Sequence, residues 1–280
     1  MNAPPTATPG SHQIPAHQVF NQPVGEMLDP AEEFHCASKL RRSTALAQLS
    51  GLSMLTLSPS LQARTRQAWR RVPSLRTIAL PDPLALTGSL GELLARRSST
   101  AEGAEPLTSS RLATLLYAGN GLLDRTRPTA SRRTIPSGGG LYSTDIFVCV
   151  RNCPELDQGI YYYHPAIHSL LELARPDAAI DDCFVGLPAG AAAFLILASS
   201  FWRSRFKYGL RGVRFSILEL GHSAQNILLA ATELRIGACP WGGFYEEPLD
   251  TLLGLDGLTE GVCYAVVLTG PPAGDSKTHE

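Results

Sequence analysis

The chain has 280 residues, 44% hydrophobic and 18% charged, with a formal net charge of -1. That length can bury a large core, and the near-neutral charge removes any broad electrostatic case for nucleic acid or an anionic membrane, so a small-molecule or neutral-peptide substrate fits better. The six cysteines (Cys36, Cys149, Cys153, Cys183, Cys239 and Cys263) form no C-x-x-C pair, so no metal site is expected and the thiols are read as buried and inert.

Residues 1–25 are rich in Pro, Thr, Gln and His with few large apolar side chains, which predicts a flexible arm. Their start, MNAPPTATPG, lacks the basic and apolar runs of a secretory signal, and the expectation is a cytoplasmic protein with reduced thiols. Residues 26–86 read as a helical and extended segment: helical patches between Ala31 and Arg71, then a proline-bearing connector from Val72 to Leu86. The main domain is expected over 87–275.

Ser89-Leu90-Gly91-Glu92 has the form of a capping box and predicts a helix running to about Arg97. A second helix is predicted from Ser110 to about Ala118, with Gly119 as its stop and Asn120-Gly121 as a turn. Ile146 to Val150, Gly159 to Tyr163 and Ser169 to Leu173 then read as an antiparallel meander. The uncharged stretch Phe184 to Trp202 approaches membrane-spanning length, yet Pro188, its small residues and Ser199-Ser200 favour a loop feeding a buried strand at Ala193 to Ser199. Arg214 to Ile236 is predicted as the longest helix, apolar on more than one face and ended by Gly237, and so buried in the core or a dimer interface. Cys263 to Leu268 is a last strand. Strands mixed with large helices without regular alternation predict an α+β fold.

The phosphate-loop and dinucleotide-binding glycine patterns are missing. Gly221-His222-Ser223-Ala224-Gln225 lacks the second glycine of a nucleophile elbow, and His222 reads as a packed or cap-forming residue. His164 and His168 flank a proline turn and read as surface residues of turn and strand.

Three kinds of stretch stand out. Arg96-Arg97-Ser98 sets two guanidinium groups and a hydroxyl at one helix end, suited either to a phosphate and an anionic ring edge or simply to the helix dipole. Pro136-Ser137-Gly138-Gly139-Gly140 either lets backbone N–H groups approach a flat or anionic ligand or is a flexible connection, and Pro240-Trp241-Gly242-Gly243-Phe244 offers a second such approach. Phe206-Lys207-Tyr208-Gly209, with Arg203, Arg205, Arg211 and Arg214, is the densest cationic cluster; it reads as a solvated basic loop or as the seat of a catalytic lysine base.

Taken in order, these motifs resemble the nitroreductase superfamily, and more closely its SagB-type azoline dehydrogenases, which form thiazoles and oxazoles. The resemblance begins at Phe34-His35-Cys36-Ala37-Ser38-Lys39-Leu40 and is firm from Leu90 onward. It implies a nitroreductase-like fold, with a central, mainly antiparallel sheet flanked by helices and FMN at a homodimer interface. It further implies that Arg96, Arg97 and Ser98 contact the FMN phosphate and ring edge, that Pro136, Ser137, Gly138 and Gly139 lie beside the flavin, and that Pro240, Gly242 and Gly243 pack near N5. The Lys207-Tyr208 pair followed by Arg211-Gly212-Val213-Arg214 is the feature that separates azoline dehydrogenases from ordinary nitroreductases, making Lys207 and Tyr208 the catalytic candidates. Thr100 and Ser143 depart from the family's usual arginine and proline. The implied partners are a second copy of the chain, an azoline-bearing peptide or carrier-bound substrate, and a cyclodehydratase. An NAD(P)H-dependent nitro or quinone reductase and a non-catalytic docking subunit are the alternative functions.

Overall fold

The computed structural model describes residues 29–43, 50–100, 102–129, 132–174, 179–188 and 190–271, so the expected arm lies outside the described residues. The chain divides into two compact units, Met1–Lys39 and Leu40–Glu280. In the first, helix α1 (Pro30–Ala37) starts at Asp29, whose carboxylate accepts the Ala31 N–H at 2.8 Å. Its Cys36 is exposed, contrary to the expectation of burial, since no residue of this short helix is buried, and Cys239 and Cys263 of the second unit are only half-buried.

The second unit is built on a seven-stranded antiparallel sheet in the order β1-β4-β3-β2-β5-β7-β6. The strands are β1 (Thr77–Ala79), β2 (Thr144–Val150), β3 (Gly159–His164), β4 (Ser169–Ala174), β5 (Ala191–Ser200), β6 (Gly237–Trp241) and β7 (Glu260–Thr269). All seven residues of β2 are buried, because both faces of the sheet are covered and a run such as Ile146 to Val150 need not alternate with polar residues. Side chains still alternate between faces. Ile146, Val148, Leu195 and Leu197 meet one core with Leu112, Leu116, Ala224 and Ile227, while Phe147, Cys149, Phe194 and Ile196 meet another with Phe184 and Leu249. The meander is present as β2-β3-β4, and the uncharged stretch Phe184 to Trp202 holds β5 as its buried strand. Among the described residues no helix is long and apolar enough to cross a membrane.

Helices flank the sheet: α2 (Ser50–Leu57), α3 (Pro59–Arg66), α4 (Leu90–Arg96), α5 (Ser109–Asn120), the single turn α6 (Ala179–Asp182), α7 (Phe201–Tyr208), α8 (Arg211–Leu234) and α9 (Glu246–Leu253). The predicted capping box is formed at α4, where Ser89 and Glu92 satisfy each other's backbone N–H groups. Two predicted stops are displaced. Gly119 does not end α5; it is buried inside it, where a β-carbon would lie 2.8 Å from Ile227 of α8, so its service is close helix packing. Gly237 already belongs to β6, and α8 ends at Leu234, capped by Arg235, a left-handed residue with φ 58° whose N–H reaches back to the carbonyls of Ala231 and Thr232.

The histidines also differ from expectation. His168 is 2% exposed and His164 is half-buried. His168 is enclosed because the connector crosses the hairpin: its Nε2 lies 3.0 Å from the Pro81 carbonyl and its Nδ1 2.9 Å from the Tyr163 hydroxyl. The packing of Trp69 covers His164 at 5.8 Å between ring centroids. His222, by contrast, is exposed in the middle of α8, neither packed nor capping.

Candidate functional site

The glycine loop is a built structure. Gly138–Gly140 forms one tight turn with Gly139 at φ 69° and Gly140 at φ 67°. The Ser137 hydroxyl closes it by accepting the Tyr142 N–H at 2.8 Å. Tyr142 follows at φ 47°, an unfavourable conformation for an aromatic residue. Several contacts hold it there: its hydroxyl accepts the Arg133 N–H at 3.2 Å, its carbonyl accepts from Arg203 at 3.1 Å, and its ring lies 5.0 Å from the Arg133 guanidinium. Arg133 is itself buried, with Asn120 Oδ1 accepting from Nη1 at 2.6 Å and the Ala68 carbonyl accepting from Nη2.

Immediately after Tyr142, the start of β2 is tied to α8. Buried Glu219 accepts the Thr144 N–H at 2.9 Å, and the Ser143 hydroxyl donates to Ser216 Oγ at 3.1 Å. Ser143, which departs from the family's proline, therefore adds a hydrogen bond from the loop to the long helix.

The lysine-tyrosine pair is helical, not a basic loop. Lys207 and Tyr208 are the last two residues of α7, which Gly209 terminates at φ 56°. Tyr208 stands edge-on to Phe215 of α8, with centroids 4.9 Å apart, and Lys207 Nζ lies 5.2 Å from the Tyr208 ring centre. Phe215 also floors the glycine loop: a β-carbon on Gly138 would be 3.3 Å from its ring. A β-carbon on Gly139 would fall on the Tyr208 hydroxyl and 2.5 Å from Lys207 Nζ. Three separated stretches of sequence thus converge on a surface that only a residue without a side chain can complete. Pro136 and Gly139 are exposed, while Ser137, Gly138, Lys207 and Tyr208 are half-buried.

The other expected residues gather elsewhere. Arg96 ends α4, Arg97 caps it, and Ser98 follows in the exposed chain that joins β6, where the Thr100 N–H donates to the Ala238 carbonyl at 3.3 Å. Pro240 lies within β6, and Gly242 and Gly243 follow it directly. Gly242 is exposed with open space around its Cα, and Trp241 fixes the turn by donating from Nε1 to the carbonyls of Val185 at 3.2 Å and Gly243 at 3.1 Å. Among the described residues neither Arg96 nor Arg97 has a carboxylate partner. Leu93 of α4 shares a cavity wall with Leu229 and Ala230 of α8, about 21 Å along the helix axis from Phe215 at 1.5 Å per residue. A single chain therefore holds the arginine set and the lysine set at separate stations along α8. Between them α8 exposes Ile217 and Leu218, 51% and 58% accessible, beside the open Cα of Gly221.

Arg203 and Phe215 position this site, and the sequence marked them only as members of a basic cluster and an apolar helix. Trp69 and Arg70 had no signal at all. The Arg70 N–H donates to the Tyr162 hydroxyl at 2.9 Å, Tyr162 donates to Asp145 at 2.9 Å, and Arg70 pairs with Glu260.

The Nitroreductase family profile matches residues 93–270, and the chain belongs to that family, an oxidoreductase family. It is 31% identical to the putative nitroreductase MJ1384 of Methanocaldococcus jannaschii over 190 residues, 65% of this chain and 88% of that one. It is also 29% identical over 141 residues to the microcin B17-processing protein McbC of Escherichia coli, covering 46% of this chain and 51% of McbC. A chain of the E. coli microcin synthetase McbBCD complex shares the fold, with a TM-score of 0.56 at 19% identity over 92% of this chain and 98% of that chain.

Proposed function

We propose that the protein is an FMN-dependent dehydrogenase that converts peptide thiazolines or oxazolines into thiazoles or oxazoles. The observation that supports this most is the meeting of Lys207 and Tyr208 with Gly139, since an ordinary flavin reductase needs no lysine-tyrosine pair at that position. The partial likeness to McbC, a microcin B17-processing protein, points the same way.

The residues fit the cofactor. Arg96 and Arg97 are cations without carboxylate partners among the described residues, Ser98 adds a hydroxyl, and Gly138, Gly139 and Gly242 offer backbone surfaces that side chains would block or crowd. These residues, with Pro136, Ser137, Pro240 and Gly243, would hold FMN. Bound FMN would supply the hydride acceptor for the ring carbon adjacent to Cα. Lys207 takes the Cα proton, so the ring loses one proton and one hydride and becomes aromatic. Tyr208 donates a hydrogen bond to the azoline nitrogen and keeps the ring oriented.

Because the arginine set and the lysine set stand apart on one chain, we read the apolar stripe Ile217, Leu218 and Gly221 as a two-fold interface joining one copy's arginines to the other's lysine. A flavin-loaded protein that sediments as a monomer would remove this arrangement. The McbBCD assembly supports a further partner in a biosynthetic complex, of the cyclodehydratase class that forms azolines.

The test begins with the visible spectrum and released cofactor of the purified protein, then turnover of a thiazoline peptide. Lys207→Ala should keep FMN and lose about 10²- to 10⁴-fold in turnover; retained FMN with full turnover would sink the assignment. The likeness to a putative nitroreductase favours a second reading, an NAD(P)H-dependent reductase. Rapid bleaching of the flavin by NADPH, with no azole formed, would select it.

A further inference from the structure

Next to the Lys207 cluster is a second feature, a cavity of about 500 Å³ between α7 and the end of α3 with the chain that follows it. That volume lies in the range of ligand sites. Its walls include Trp69, Arg71, Leu141, Trp202, Arg203 and Phe206. Two of these tie it to the site already described. Arg203 is one helical turn before Lys207 on α7 and so lies on the same face. Leu141 is two residues beyond Gly139 in the glycine loop. A chain lying in the cavity therefore reaches the lysine end of α7 within about one turn, roughly 5 Å.

The charges in the cavity are unbalanced. Arg70 is neutralised by Glu260 and lies 3.7 Å from Asp145, which also uses up the two acidic groups there. Arg203 is bonded to the neutral Tyr142 carbonyl and rests over the Trp202 ring at 5.7 Å, and Arg71 is exposed. Among the described residues neither has a carboxylate partner. Two uncompensated guanidinium groups beside three aromatic side chains make a surface for an anion carried on an apolar chain.

We propose that this cavity binds the peptide segment next to the azoline ring and selects a carboxylate on it, from an acidic side chain or from the C-terminus. The inference rests on the dehydrogenase reading and adds the class of substrate. Arg203 and Arg71 receive the carboxylate, and Trp69, Trp202 and Phe206 cover the flanking side chains.

The experiment uses full-length, flavin-loaded protein and rhodamine-labelled thiazoline peptides: one with Asp beside the ring, one with Asn, each as free acid and C-terminal amide. Fluorescence anisotropy gives Kd, and azole formation gives kcat and KM separately. Removing the carboxylate should weaken binding about 10- to 100-fold and raise KM more than it lowers kcat. Loss on Asp→Asn identifies the side chain as its source, and loss on amidation identifies the terminus. Arg203→Gln should bring the acidic-to-neutral affinity ratio close to one. Arg71→Gln, at an exposed residue with no carboxylate partner among the described residues, should reduce that ratio several-fold without touching the Tyr142 loop. Equal affinity for all peptides, or a ratio unchanged in both variants, overturns the proposal. Azole formation at one common KM overturns it alone and leaves the dehydrogenase standing. A carboxylate preference lost in both variants, with no azole from any peptide, keeps the cavity assignment and removes the dehydrogenase.

Discussion

Replacing Gly139 by alanine separates backbone strain from a displaced lysine and tyrosine, because Gly140 supplies the matched control. Both residues have positive φ, 69° and 67°, and a β-carbon in that region costs about 1–2 kcal/mol. For a protein of this size each kcal/mol lowers Tm by about 2–4 °C, so either variant should melt roughly 2–8 °C below the wild type. The two part at the site. A β-carbon at Gly140 meets open space, whereas one at Gly139 lands on the Tyr208 hydroxyl and 2.5 Å from Lys207 Nζ. Both obstructed atoms end movable side chains, so the fold survives while the reacting groups shift by about 1 Å, a displacement that can cost on the order of 10²-fold in rate. Thermal melting, flavin content and turnover of a thiazoline peptide form the assay. Gly140→Ala should stay near wild-type turnover and Gly139→Ala should lose about 10²-fold. Equal turnover in the two variants would show that the loop does not set the positions of Lys207 and Tyr208 during reaction.

Two further outcomes follow from buried polar groups. Glu219→Ala leaves the buried Thr144 N–H without its acceptor and should cost about 1–3 kcal/mol in urea denaturation, while Glu219→Gln keeps an acceptor and should cost less; an unchanged midpoint in the alanine variant would refute the role of this contact. Burial lowers the His168 imidazole from its ordinary value, with Arg125 adding to the effect. As pH falls through the unfolded value of about 6.5, the unfolded chain takes up a proton that the folded chain resists, so stability must decline. Tm should drop between pH 7.5 and 5.5, and His168→Gln should flatten that drop, leaving the part due to His164, which burial also lowers. A Tm that rises over the same interval would contradict the burial argument.

Much of the fold was legible because the local signals agree with the tertiary environment. The Ser89–Glu92 capping box, the meander of β2 to β4 and the uncharged run into β5 each carry their own pattern, so their elements appear close to where the residues place them. Strand β6 carried none: with a glycine at its start and a proline inside it, Gly237–Trp241 is a strand because the edge of β7 offers it partners. Gly119 and Gly237 show the same limit from the other side. A glycine looks like a stop in one dimension, yet Gly119 is there to let Ile227 approach and Gly237 to fit against Thr269 and the chain at Glu102.

For the candidate site, the sequence alone determined which residue types are present, their order, the glycine loop and the lysine-tyrosine pair, since these are properties of contiguous residues. It also carried the family resemblance, because motif order survives without coordinates. Only the tertiary structure decided that Gly139 faces Lys207 and Tyr208, that Phe215 floors both, and that the Arg96 set stands at another station on α8. It decided as well that Trp69 and Arg71 share a cavity with Arg203. The physical reason is that these proximities join residues far apart in the chain, brought together by burial of the sheet's two faces and by the path of α8, and no local periodicity encodes a distance across a core.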